Sequence, residues 1–139
     1  DNRKSRDLIF LGDVLKSRNF YKAALIEYQR AIEQSKNFSP QLHNKLAKTH
    51  LITREYNKAK VILNRSLHYY PMFHSTLASL GELYFDLGKI EKSRTFYERA
   101  IKINPFNPFV HMRLITIYQK LGWKKEKALQ VKLAGYINH

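Results

Sequence analysis

The sequence predicts an all-α fold built of antiparallel helix pairs, on three observations. A pattern of packing residues recurs along the 139 residues at a spacing close to 34, the period of stacked helical hairpins. Small residues stand at Gly12, Ala47 and Gly81, with larger packing residues at Tyr28, Leu63 and Tyr97 in the partner helices. Pro40, Pro71, Pro105 and Pro108 mark breaks between hairpins, while Gly88 and Gly122 supply residues able to turn left-handed after a helix.

The first helix is expected over about 5–17, with Gly12 where the partner helix must come close, and the second over 20–35 with Ala24, Tyr28 and Ala31. Asn37-Phe38-Ser39-Pro40 reads as a turn that absorbs the one residue by which this spacing exceeds the next. A third helix over 40–53 carries Leu46 and Ala47, and a fourth over 56–69 carries Ala59, Leu63 and Ser66 before Pro71. The third hairpin shows the pattern best: Leu77, Leu80, Gly81 and Tyr84 on a helix over 74–87, then Ser93, Tyr97 and Ala100 on one over 90–103, closed by Pro105. In the fourth, Leu114, Ile115, Tyr118 and Gly122 keep register over 108–121, but Lys127 takes the small-residue slot and Ala128 comes one place late. The last helix, 124–137, sets Leu129, Leu133, Tyr136 and Ile137 at i, i+4, i+7 and i+8, with Lys124, Lys125, Lys127 and Lys132 on much of the rest. That arrangement predicts a capping helix with a wet outer face.

This order of residues resembles the tetratricopeptide repeat, with Leu for the family's Trp and Ser for its first Ala in the third unit. The resemblance covers nearly the whole chain, with repeats at about 5–38, 40–73, 74–107 and 108–139, the last degenerate. It implies a right-handed superhelical solenoid and a single domain over 1–139.

Composition supports a folded chain, since 44% of residues are hydrophobic and only five Gly and four Pro are present. The absence of Cys excludes disulfides, thiolate metal sites and Cys nucleophiles. No apolar run approaches the roughly 20 residues that cross a bilayer, so no membrane span is expected. The compartment stays open, with a soluble, cytoplasmic setting favoured. The chain begins at Asp1 without Met or an apolar signal segment, and excision from a longer protein is the favoured reading. The formal charge is +14, and the segments 40–73 and 108–139 each hold six bases against one acid. Such a balance draws nucleic acid, anionic lipid or acidic protein alike.

The resemblance implies a non-catalytic scaffold for protein–protein interaction, in which the first helix of each hairpin lines a concave groove that holds an extended peptide or a helix of a partner. The residues expected on that groove are Asp13 and Lys16; Asn44, Lys45, Lys48 and Leu51; Ser79, Glu82 and Phe85; and Met112, Arg113 and Thr116. Packing between neighbouring hairpins is the competing role for Leu51, Phe85 and also Phe109. Family members that grip chaperone tails use a clamp of Lys, Asn and Arg; the matching positions here are Ile9, Asp13, Lys45, Ser75 and Ser79, which disfavours that ligand. Sliding the clamp one unit forward gives Asn44, Lys48, Ser79, Phe109 and Arg113, which keeps one guanidinium without the bidentate arrangement.

The alternative is charge-driven binding of an anionic partner. Lys45, Lys48 and Arg113 would steer it from the groove, with Lys58, Lys60, Arg65 and the lysines of the last helix adding long-range field. Those second-helix lysines equally suit a plainly solvated surface. No RNA-recognition strand motif, glycine-rich clamp or zinc spacing occurs, so an acidic protein ranks above nucleic acid. Homo-oligomers by end-to-end stacking are a further expectation, and no cofactor is expected.

An enzyme reading finds little. His43, His50, His68, His74, His111 and His139 are scattered, with no HExxH pair and no Gly-rich phosphate loop. His43 and His50 stand where aromatic packing residues are expected, which predicts structural roles. Glu82 and Asp86 form a like-charge pair at i, i+4 that suits a solvated face better than catalysis.

Overall fold

The computed structural model describes residues 3–137, which form eight α-helices and no strand. They are α1 (Arg3–Ser17), α2 (Tyr21–Gln34), α3 (Pro40–Ile52), α4 (Tyr56–Tyr69), α5 (His74–Asp86), α6 (Ile90–Ile103), α7 (Pro108–Leu121) and α8 (Lys124–Ile137). Each expected helix is present, with ends within two residues of the sequence reading. His139 lies outside the described residues.

The chain divides into two compact units, one ending at Pro71 and the other beginning at Met72. In the first, α1 pairs with α2, α3 pairs with α4, and α2 also packs on α3. The second repeats the scheme with α5 on α6, α7 on α8, and α6 against α7.

The hairpin turns explain why the helix ends were readable. Asn19, Arg54, Gly88 and Gly122 occupy the same place in each hairpin, and all are left-handed, with φ of 67, 63, 76 and 73°. Next in each chain, Phe20, Glu55, Lys89 and Trp123 donate their amides back to Leu15, His50, Tyr84 and Tyr118 carbonyls at 2.8–2.9 Å, the 6→1 bond that closes a helix C-terminus. Arg54 holds there the least favourable side chain for this conformation.

The small-residue slots are set by direct steric need. A Cβ on Gly12 would lie 2.6 Å from Tyr28 Cε1, and one on Gly81 2.6 Å from Tyr97 Cδ1. Tyr28 and Tyr97 are both fully buried, so their rings lie flat against bare backbone and cannot swing into water. Where Ser93 replaces the family's Ala, its hydroxyl donates to the Gly81 carbonyl at 2.7 Å and so is satisfied inside the hairpin. The first unit closes its core with Leu42 and Leu46 beside Ala24, Tyr28 and Ala31, and the second with Val110, Leu114 and Ile117 beside Tyr97 and Tyr118.

Capping ties the second unit together through one residue. Asn107 Oδ1 accepts from the Phe109 and Val110 amides at 3.0 and 3.4 Å, with Pro108 at the first helical position of α7. Its amide nitrogen donates to His74 Nε2 at 3.0 Å, and His74 Nδ1–H donates to the Ala100 carbonyl at 2.9 Å. The start of α5, the end of α6 and the start of α7 are thereby linked. Asn107→Ala is expected to lower unfolding stability by about 1–2 kcal/mol in a urea titration, with Asn107→Asp between it and the parent because only the cap survives.

Four histidines, His43, His50, His74 and His111, make contacts within the fold. His43 is buried and stacks on Phe38 at 4.1 Å, with Nδ1–H donating to the Ser39 carbonyl at 2.8 Å. Burial pushes its pKa below the ordinary histidine value, and Arg65 adds to the effect. His50 meets the Glu55 carboxylate at 3.2 Å. His111, 1% exposed, donates from Nε2 to the Pro105 carbonyl and accepts at Nδ1 from the amide of Gln130.

Helix α8 differs from expectation. The stripe of Leu129, Leu133 and Tyr136 is 59, 41 and 71% exposed, and Gln130 is the buried residue of the helix. Gln130 is the residue that α8 turns onto His111 of α7, and the apolar stripe faces outward beside the exposed Lys124, Lys125 and Lys132.

Candidate partner-binding faces

Two surfaces carry the residues expected to meet a partner, one in each unit. In the first unit Asp13 of α1 lies 3.1 Å from Lys45 Nζ of α3 through each carboxylate oxygen, and accepts from the Tyr28 hydroxyl of α2 at 2.5 Å. Three helices converge on one carboxylate. Burial and the bond to Asp13 push the Tyr28 phenol well above its ordinary range, so it stays a donor at any physiological pH. The Lys45 and Asp13 side chains are 40 and 42% exposed, which holds their ion pair to about 1 kcal/mol or less. The pair cancels the positive charge that Lys45 was expected to lend the face, and Lys48 remains as an exposed cation of α3.

Leu51 and Asn44 are 4 and 7% exposed and belong to the interior. The reason is the position of α3, which packs on both α2 and α4 and buries eight of its 13 residues, including two that helical periodicity projects outward. Lys16 is half-buried on α1. In the second unit Ser79 is likewise interior at 3% exposed, while Glu82 and Phe85 are half-buried on α5.

The face of α5 and α7 gathers its groups more tightly. The Arg113 guanidinium carbon sits 4.3 Å from the Phe85 ring centroid and 5.0 Å from that of Phe109, so the cation is held between two aromatic rings. Phe109 in turn meets Tyr97 edge-on at 6.5 Å. Arg113 Nε is buried within this cluster. Beside it Met112 is 67% exposed, and the Thr116 hydroxyl is committed to the Met112 carbonyl at 3.1 Å. Phe109 joins this cluster as a full member, on helical spacing from Arg113.

Charges elsewhere are partly engaged. Glu55 is held down to about 2 by hydrogen bonds from the Thr53 hydroxyl, Lys58 and His50. Arg94 binds Glu91 and Glu98 at 3.0 Å and lies 4.7 Å from the Trp123 centroid. Lys124, Lys125 and Lys132 of α8 are exposed. Among the described residues, no three His, Asp or Glu side chains are grouped to hold a metal ion, and no helix is long and apolar enough to cross a membrane.

Residues 74–107 match the tetratricopeptide repeat model. No curated protein matches the chain in sequence. Among solved structures the fold is similar to that of MamA, at a TM-score of 0.81 and 19% identity over 99% of this chain and 80% of that one. It is similar to a thermophilic tetratricopeptide-repeat protein of Thermus thermophilus, at 0.82 and 22% over 96 and 74%. A third likeness, at 0.78 and 21% over 88 and 96%, is to the first tetratricopeptide domain of Spaghetti bound to the HSP90 peptide SRMEEVD.

Proposed function

The chain is made of tetratricopeptide-type hairpins, one of them matched in sequence at residues 74–107, and from that premise we propose that it is a non-catalytic scaffold binding a segment of a partner polypeptide. The observation that carries this reading is the Arg113 guanidinium fixed between Phe85 and Phe109 beside exposed Met112. Aromatic and Arg side chains dominate binding energy at protein interfaces, and a side chain already ordered loses little entropy on association. The face of α1 and α3 adds Lys48 and the Asp13–Lys45 pair, which suit hydrogen-bonding and acidic groups on the partner.

Chaperone tails do not fit. The carboxylate of Asp13 occupies a position where a clamp needs a donor, and its bonds to Lys45 and Tyr28 fix it there. The SRMEEVD peptide is therefore expected to show no saturable heat of binding up to about 1 mM. A saturating isotherm would mean that the clamp is rebuilt from other residues.

The reading is tested by capture from a lysate of the source organism on the immobilised chain. Proteins retained at physiological salt should be lost with Lys48→Glu plus Arg113→Glu and kept with Lys124→Glu, Lys125→Glu and Lys132→Glu. Nucleic acid that leaves the parent and the first variant along the same salt gradient would promote the charge-driven alternative, which the exposed lysines of α8 favour.

A further inference from the structure

The first unit has another concavity, between α2 and α4, which uses none of the residues proposed above. Two clefts of about 820 and 470 Å³ share Gln29, Leu46, His50 and Lys58, and so form one furrow. Its floor is α3, through His43, Leu46 and His50. The α4 wall presents Lys58, Val61, Ile62 and Arg65 at i, i+3, i+4 and i+7, and the α2 wall runs from Lys22 past Ile26 to Glu33.

Two features of the walls stand out. Ile26 and Val61 are 54 and 69% exposed, branched aliphatic groups, one on each wall of the furrow. Lys58 pairs with Glu55 at 3.1 Å and Arg30 with Glu27 at 3.2 Å, which leaves Lys22 and Arg65 against Glu33 on the rim. The furrow is therefore apolar along its sides with a net positive rim.

We propose that this furrow docks an acidic amphipathic α-helix of a partner protein, its apolar stripe on Ile26 and Val61 and its carboxylates toward Lys22 and Arg65. The walls are helices whose backbone groups are already bonded, so an extended strand gains no main-chain hydrogen bonds there, whereas helix ridges fit the grooves between side chains spaced at i, i+3 and i+4. The run from Lys22 to Glu33 spans about 16 Å, room for roughly three helical turns. Nucleic acid is a poorer occupant because no Phe, Tyr or Trp lines the furrow to stack a base.

The test is a titration of the ¹⁵N-labelled chain with an acetylated, amidated helical peptide carrying Leu at i, i+3, i+4 and i+7 and Glu on the flanking positions. Its scrambled isomer and poly-uridylate serve as competitors. Saturating shifts confined to α2, α3 and α4 are expected, weakened about tenfold or more by Ile26→Glu plus Val61→Glu and likewise by Lys22→Glu plus Arg65→Glu. All four positions are exposed, so the thermal melt of Ile26→Glu plus Val61→Glu should match the parent; Arg65 also lies 5.5 Å from the Phe38 ring centroid, so the charge-reversal pair is titrated well below its own melting temperature. The double variant Lys48→Glu plus Arg113→Glu should bind the peptide as the parent does, which separates this surface from the faces of α1, α3, α5 and α7. No saturation, equal binding of the scrambled peptide, shifts outside these three helices, or displacement by poly-uridylate would each overturn the proposal.

Discussion

Tyr97→Ala is expected to remove about 3–5 kcal/mol of unfolding stability, a large share of what a domain this size possesses. The ring is fully buried, lies against the backbone of Gly81, and meets Phe109 edge-on. Truncation empties the space between α5, α6 and α7, and the surrounding helices can close only part of it. The converse change is also costly: Gly81→Val brings a Cβ to 2.6–2.8 Å from three ring carbons of Tyr97, an overpacking worth about 1–3 kcal/mol. The two sites are thermodynamically coupled. Gly81→Ala should destabilise the parent yet become neutral or stabilising in the Tyr97→Ala background, where the clash is gone and Ala outranks Gly in a helix by about 1 kcal/mol. Urea denaturation of the four proteins measures this directly, and additive effects would mean that Gly81 is not there to admit the ring. The equivalent pair Gly12 and Tyr28 should behave alike in the first unit.

Arg113→Ala is the substitution expected to cost the partner most, about 2 kcal/mol or some thirtyfold in affinity. The guanidinium stacks on both Phe85 and Phe109, so the truncation removes a positioned donor group and loosens two aromatic anchors together. Arg113→Lys separates charge from shape. A flexible ammonium keeps the charge but cannot lie flat between two rings, so most of the loss should persist. Full recovery with Lys in a fluorescence-anisotropy titration would indicate that charge alone matters and would favour the electrostatic alternative.

The helices were legible because three signals coincide in the first and third hairpins and two of them in the second, where Leu63 stands in place of a ring. The signals are the small-residue slot, the ring that fills it and the left-handed turn residue; the last recurs in all four hairpins, and Gly88 and Gly122 are visible as such in the sequence. Asn19 and Arg54 are less so, yet they adopt the same backbone conformation because the hairpin geometry demands it. The site was legible only in part. Helical projection placed Phe85, Met112 and Arg113 on one face, and the structure brings Phe85 and Arg113 into contact. It could not foresee that Asp13 would neutralise Lys45, a contact across 32 residues between two hairpins. Nor does projection register how far neighbouring helices cover α3, which is why Leu51 and Asn44 are interior. The rotation of α8 escaped for a related reason: the stripe of Leu129, Leu133 and Tyr136 looks like a packing face, but it is Gln130 that meets His111, and the stripe faces outward.

The most direct test of the scaffold reading is hydrogen–deuterium exchange of the chain with and without a captured partner. The account predicts protection on the faces carrying Lys48 of α3 and Phe85, Met112 and Arg113 of α5 and α7, with α6 and α8 unchanged. Protection confined to the lysine-bearing surface of α8, lost smoothly as salt is raised, would contradict it.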